Sequence, residues 1–258
     1  MKCPICLHLK PKKIFIATNR HGSHQLSTEN IPIYKCLNCG CIFPKVTINK
    51  NYYQKFYPSN YYSKQICLPD FRKYLFKRPG YLLDVGCGQG EFIYSLPKYI
   101  TPTGIDINAP NSKNLIKSDF LKHNFKRRYD YITFWHSLEH FQNPRVVIKK
   151  ALSLLKKDGI LYISIPNTSS LAFRFGREYW FHLDSPRHLF LPNNKNIKLL
   201  FPANYSVKTT YNIWSFPLDL FHSLKKYPYL RFFYPILKLF DKENMLIKVQ
   251  ESDLYSKP

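Results

Sequence analysis

The chain has 258 residues, 45% hydrophobic and 21% charged, which fits one or two folded domains and excludes a disordered polymer. Lysine and arginine number 39 against 16 acids, a formal charge of +23; this favours anionic partners such as nucleic acid or phosphorylated small molecules, although a lysine-rich solvated surface explains much of it. No run of 18 apolar residues is present, and Met1-Lys2-Cys3-Pro4 lacks the apolar core of a signal peptide, so a cytoplasmic protein without a transmembrane segment is expected.

The N-terminal segment, residues 1–45, is governed by cysteine. Cys3-Pro4-Ile5-Cys6 is followed, after 29 intervening residues, by Cys36-Leu37-Asn38-Cys39-Gly40. Two C-x-x-C knuckles supply four thiolates, the donor set of a closed tetrahedral Zn²⁺ site. Cys3, Cys6, Cys36 and Cys39 are therefore the expected metal ligands. Ile14–Ile16 and Ile31–Tyr34 are short enough to be strands of a zinc ribbon. A redox C-x-x-C would need a thioredoxin-like strand and helix, which is absent from the pattern. Cys41 competes as a ligand with poorer spacing. Cys67 and Cys87 read as buried thiols, and His8, His21 and His24 as exposed loop residues.

Residues 46–80 form an aromatic, lysine-rich connector: Tyr52-Tyr53, Phe56-Tyr57-Pro58, Tyr61-Tyr62. Such a segment can pack two parts together, lid a pocket, or stack on bases; packing or a lid is favoured. Phe71–Lys77 reads as a short basic helix.

From residue 81 to 258 strands alternate with helices. Tyr81–Val85, Thr103–Ile107, Tyr131–Trp135 and Ile160–Ile165 are apolar strand patterns, and residues 144–156 form an amphipathic helix with Val146, Val147, Ile148, Leu152 and Leu155 at helical spacing. This alternation implies a parallel sheet with right-handed crossovers, whose ligands bind beyond the carboxyl ends of the strands. The chain has only nine glycines, and three of them, Gly86, Gly88 and Gly90, fall within five residues after the first of these strands. The loop is one residue tighter than a G-x-G-x-x-G dinucleotide loop and is preceded by Asp84. An acid there repels phosphate and welcomes a cation.

This series resembles the class I S-adenosylmethionine-dependent methyltransferases over about residues 80–167. Asp84–Gly90 looks like their D-x-G-x-G-x-G motif, Asp106 like the acid closing their second strand, Lys117–Phe120 like the adenine-side motif, and Phe134–Phe141, with its Leu-Glu-His, like their segment after the next strand. The resemblance implies an α/β fold with a Rossmann-like, doubly wound, mostly parallel seven-stranded sheet carrying the small zinc ribbon. It also implies S-adenosylmethionine as cofactor. Asp84 and the Gly86–Gly90 backbone would hold the methionine part. Asp106, with Ile107 beside it, would hold the ribose, Asp119 and Phe120 the adenine, and Trp135 and His136 the sulfonium side.

The acceptor should dock beyond the fourth strand, where Phe173–Leu189 is irregular and aromatic. The ribbon, the connector and Pro186-Arg187-His188-Leu189 resemble a subset of bacterial methyltransferases with an N-terminal zinc-binding segment, several of which act on nucleotide-linked sugars or similar metabolites. His188 is the first candidate for a general base, because neutral imidazole suits proton removal near pH 7; His182, Tyr179 and His136 follow. Arg177 and Arg187 are candidates to hold a phosphate or carboxylate. Tyr205–Tyr211 and Met245–Gln250 read as an antiparallel pair, and Trp214–Phe240, interrupted by prolines, as a pocket cover rather than an interfacial helix. The expected function is methyl transfer to a small molecule, an activated sugar being the favoured acceptor. An RNA methyltransferase using ribbon and basic surface is the alternative enzyme, and a non-catalytic cofactor-binding module the alternative outside enzymes.

Overall fold

In the computed structural model, residues 1–18, 30–49, 51–57, 71–211, 224, 228–234, 237 and 240–252 are described. His21, His24, Cys67, Tyr61, Tyr62 and most of Trp214–Phe240 lie outside them. The N-terminal segment forms a three-stranded antiparallel sheet: β1 (Pro11–Thr18), β2 (Asn30–Cys36) and β3 (Ile42–Pro44). The third strand lies outside the sequence reading, because Ile42-Phe43-Pro44 is too short to show a period. It is held by pairing with β2 and by reciprocal backbone hydrogen bonds between Ile42 and Leu191.

The main sheet has seven strands in the order β6-β5-β4-β7-β8-β10-β9. They are β4 (Gly80–Val85), β5 (Ile100–Asp106), β6 (Leu115–Lys117), β7 (Tyr129–Trp135), β8 (Leu155–Pro166), β9 (Tyr205–Tyr211) and β10 (Asn244–Glu251). β4 through β8 pair in parallel, and β10 runs antiparallel to both β8 and β9. The order reverses at β4, the first strand in sequence, which lies between β5 and β7. A crevice opens at such a switch point beyond the carboxyl ends, and the glycine loop leaves β4 there and runs into α2 (Glu91–Ser95).

Leu83, Val85, Ile132, Phe134, Leu161, Ile163, Met245, Ile247 and Val249 pack under the sheet with α3 (Pro144–Leu154). Two details differ from the sequence pattern. The helix ends at Leu154, because Leu155 is already extended and pairs with Tyr129 of β7. Val146 is 47% exposed, since the face that reaches the core is Pro144, Val147, Ile148 and Ala151. Asn143 caps the helix by accepting the Val146 amide through its side chain, and Pro144 occupies the first turn, where no N–H is needed. Phe71–Leu75 is a 3₁₀ turn, not an α-helix.

The N-terminal sheet is packed onto the rest of the fold. Cys3, Ile5, Cys36, Cys41 and Phe43 share one apolar cluster with Leu83, Val85 and Phe134. Arg145 donates to the Ile5 carbonyl at 2.9 Å, and the Asn196 amide donates to the Cys39 carbonyl at 3.1 Å. In the connector, α1 (Tyr52–Phe56) buries Tyr52 and Phe56 against Leu189, and the Tyr52 hydroxyl donates to the Pro186 carbonyl at 2.9 Å. The described part of the connector is thus packing between two segments.

Candidate active site

β4 and β5 are hydrogen-bonded in parallel with Asp84 opposite Gly104, so Asp84 and Asp106 stand near the tips of adjacent strands. Both carboxylates are buried, at 2% and 8% exposure. Thr133 of β7 donates its hydroxyl to Asp84 at 2.7 Å. The two oxygens of Asp106 accept the backbone amides of Gly88 at 3.2 Å and Asn108 at 2.8 Å. Those bonds fix the carboxylate plane. Between the acids, Gly86, Gly88 and Gly90 have φ of +78°, +55° and +90°, the region where L side chains are strained. At Gly86 a Cβ would overlap the Ser137 side chain, whose hydroxyl donates to the Val85 carbonyl at 2.6 Å. Burial pushes the Cys87 thiol up, and the negative charges of Asp84 and Asp106 add to the effect.

The Gly86→Ala variant is expected to lose about 1–3 kcal/mol to its left-handed backbone alone, with the steric overlap adding to this. A melting temperature lowered by about 5–10 °C would show it by calorimetry; an unchanged midpoint would mean the loop is not held in this conformation.

The other cofactor-side residues divide. Ile107 follows the tip of β5 and is 39% exposed. Asp119 accepts the Leu121 amide at 2.8 Å, which leaves its carboxylate at the turn after β6. Trp135, at the end of β7, is half-buried, packs edge-on to Phe92 at 5.4 Å, and has a buried indole N–H with no hydrogen-bond partner. An unsatisfied donor at a strand tip is costly unless a ligand accepts from it. Phe120 differs from its expected place against the adenine: its ring is 3% exposed and sits among Phe125, Phe134 and Phe141, a core position set by the aromatic cluster there.

On the acceptor side the structure gathers histidines around Glu139. His136, at φ +49° and 41% exposed, places Nδ1 3.5 Å from a Glu139 oxygen and stacks on His182 at 5.8 Å. His188 is buried, binds the His182 carbonyl through Nδ1 at 2.7 Å, and turns Nε2 toward Glu139 and Asp184 at 3.9 and 3.8 Å. His140 lies 4.8 Å from His188, ring to ring. Burial alone would raise the Glu139 carboxyl, but His136, then His188 and His140, outweigh it and hold it at about 2. Burial, with His140 beside it, pushes His188 well below the usual histidine range despite the opposing charge of Glu139. Tyr179 ends the 3₁₀ turn Arg177–Tyr179 and is half-buried. Arg187 is 1% exposed and paired with Asp184 at 2.6 Å, so it is an internal ion pair rather than a surface anion receptor; Arg177 remains exposed.

Residues 59–205 match the family described as a methyltransferase domain. The chain belongs to that family, and its fold is that of the class I S-adenosylmethionine-dependent methyltransferases. The ubiquinone biosynthesis O-methyltransferase of Glaesserella parasuis serovar 5 is 33% identical over 121 residues, and that of Coxiella burnetii is 31% identical over the same length. These alignments take in 38% and 40% of this chain, and the chain spans about half the length of the curated relatives it matches, 51% and 52%. Among solved structures, the plantazolicin methyltransferase BpumL is similar with a TM-score of 0.47 and 18% identity, covering 70% of this chain and 80% of the other.

The chain also brings its four expected metal ligands together. Cys3 Sγ lies 3.6 Å from Cys39 Sγ and Cys6 Sγ 3.4 Å from Cys36 Sγ. A zinc tetrahedron with bonds of about 2.3 Å has edges of about 3.7 Å, and a disulfide needs about 2.05 Å. Four buried or half-buried sulfurs at this spacing fit Zn²⁺. Cys41 is buried beside them, its Sγ 3.7 Å from the Leu191 carbonyl, and burial pushes its thiol well up. Its hydrogen bond, more than any other influence, lowers the Cys3 thiol to about 4, while burial pushes Cys36 and Cys39 up. Tyr57, whose hydroxyl meets His140 Nδ1 at 2.8 Å, and Glu139 as a buried carboxylate were not singled out by sequence. A glutamate beside a histidine, within a segment otherwise bound for the core, was the available signal.

Proposed function

We propose that the chain transfers the methyl group of S-adenosylmethionine to a hydroxyl of a small molecule, with a nucleotide-linked sugar as the acceptor class. The observation that carries the transfer reading is the pair of buried carboxylates on adjacent strand tips flanking a loop of left-handed glycines. Adenosylmethionine, when bound, supplies a methyl group on a positively charged sulfur, already activated for in-line displacement. What the chain must add is placement and a proton acceptor. Asp106 accepts from the ribose hydroxyls, Asp84 and the loop amides hold the amino-acid end, Asp119 takes the adenine amino group, and the Trp135 indole N–H donates at the strand tip.

The proton acceptor in this reading is His136, next in sequence to Trp135 and exposed, with His182 stacked on it and Tyr179 lining the same irregular stretch. His188 passes from first candidate base to a supporting place, because its free nitrogen points at Glu139 inside the protein. The hydroxyl acceptor draws on the curated relatives, which are named as O-methyltransferases. Exposed Arg177 and the +23 charge support an anionic acceptor. The RNA alternative loses one of its supports, since Tyr52 and Phe56 of the connector are spent on packing. No helix among the described residues is long and apolar enough to cross a membrane.

Radiolabelled methyl from adenosylmethionine is expected in a panel of nucleoside-diphosphate sugars and not in tRNA or rRNA; label confined to RNA would sink the small-molecule reading. With the labelled acceptor, His136→Gln should lower kcat by about 10²–10⁴-fold while cofactor affinity, read by calorimetry, stays within a factor of about 2. Full turnover in that variant would remove His136 from the mechanism.

A further inference from the structure

Among the described residues, Glu139 is a buried carboxylate whose surroundings call for a partner. Its side chain is 0% exposed, and neither carboxylate oxygen has a hydrogen-bond partner. A buried charge in that condition costs several kcal/mol unless something compensates it. The nearest histidine nitrogens, at 3.5 and 3.9 Å, are too far for strong hydrogen bonds.

Two imidazoles face the same point from different parts of the chain. His140 ends the 3₁₀ turn Leu138–His140 that follows β7, and His188 belongs to the loop packed beneath the connector. One donor atom from each of Glu139, His140 and His188 lies within 4.8 Å of the others. Each imidazole is oriented from behind. His188 Nδ1 is 2.7 Å from the His182 carbonyl, which fixes the proton there and leaves the lone pair on Nε2, the nitrogen turned toward Glu139. His140 Nδ1 is 3.2 Å from the Arg187 carbonyl and 2.8 Å from the Tyr57 hydroxyl. A carbonyl accepting from the second ring nitrogen is the arrangement that fixes tautomer and direction in metal-ligating histidines.

We propose that Glu139, His140 and His188 form a second metal site, distinct from the four cysteines, for a divalent first-row transition ion. Two neutral imidazoles and one carboxylate suit Zn²⁺, Mn²⁺, Fe²⁺ or Co²⁺, whereas Mg²⁺ and Ca²⁺ prefer oxygen donors. Bonds of about 2.1 Å give donor–donor distances of about 3.4 Å, so the 3.9 Å separation of His188 Nε2 and Glu139 closes by about 0.5 Å, and the trio as a whole, whose donors lie within 4.8 Å of one another, draws in around the ion. The ion adds a full, permanent positive charge to what the histidines at 3.5 and 3.9 Å offer the carboxylate. It also staples the turn bearing His136 to the loop bearing His188, with a coordination position left for a non-protein oxygen. The neighbouring cation, Arg187, is already paired with Asp184.

The full-length chain, loaded with Zn²⁺ and exhaustively dialysed, is measured for metal per chain. Two equivalents are expected. Glu139→Gln should lose one and keep the other, and Cys36→Ser should lose the complementary one. Loading with Co²⁺ separates them spectroscopically, since only the cysteine site gives thiolate-to-cobalt charge-transfer absorption, and that band should survive in Glu139→Gln. If Glu139→Gln does not fold, His140→Ala, at a half-buried position, is measured in its place with the same expectation. A metal content unchanged by whichever of these substitutions folds overturns the proposal, whether the native chain holds one equivalent or two.

Discussion

Asp106→Ala is expected to weaken binding of adenosylmethionine by 100-fold or more in isothermal titration. The carboxylate is held by the Gly88 and Asn108 amides, so its direction is set before any ligand arrives. Each hydrogen bond to a charged group contributes about 1.5–3 kcal/mol, and a diol makes two. Together these give about 3–6 kcal/mol, or about 10²–10⁴ in affinity. Asp106→Asn should fall between native and alanine, because an amide keeps one acceptor oxygen but replaces the other with a donor aimed at a donor. Asp158→Ala, an exposed acid within β8, serves as the control and should bind as the native chain does. Native affinity in Asp106→Ala would remove Asp106 from the ribose site.

The placement of the expected cofactor-side acids at strand tips was legible because it is a local property. Asp84, the three glycines and Asp106 each sit at a strand end that the apolar pattern marks, and parallel pairing brings the ends together automatically. Asp84 and Asp106 needed only adjacency of two strands, and β4 and β5 supply it. Phe120 was misread for the opposite reason. Its place depends on Phe125, Phe134 and Phe141, three rings from separate elements whose meeting no spacing reveals. His188 shows the same limit. As a residue type it suits a base, but burial and the facing Glu139 are properties of the assembled loop. The end of α3 was missed because Leu155 continues the helical period while its backbone joins β7; register in the sheet overrides a weak local preference there.

Removal of the zinc expected at the four cysteines, by chelation or by Cys36→Ser, should lower the main unfolding transition by about 10 °C or more, along with the loss of one metal equivalent. Structural zinc couples its binding energy directly to folding, and the question is which folding unit receives it. If the N-terminal sheet were an independent bead, only its own small transition would disappear. Here Cys3, Ile5, Cys36 and Phe43 are buried in the same cluster as Leu83, Phe134 and Ile163 of the main sheet. The backbone bonds between Ile42 and Leu191, and the Asn196 bond to the Cys39 carbonyl, tie the cysteine turns to the loop that follows His188. Without a cation the sulfurs at 3.4 and 3.6 Å are crowded, and burial opposes the thiolate form of Cys36 and Cys39. Release of metal therefore loosens a wall of the common core. A loss of about 5 kcal/mol corresponds to the stated shift at about 2–4 °C per kcal/mol for a chain of this size. An unchanged calorimetric midpoint after complete zinc loss would show that the N-terminal sheet holds its place by apolar packing alone, and that the four thiols contribute nothing to the stability of the methyltransferase fold.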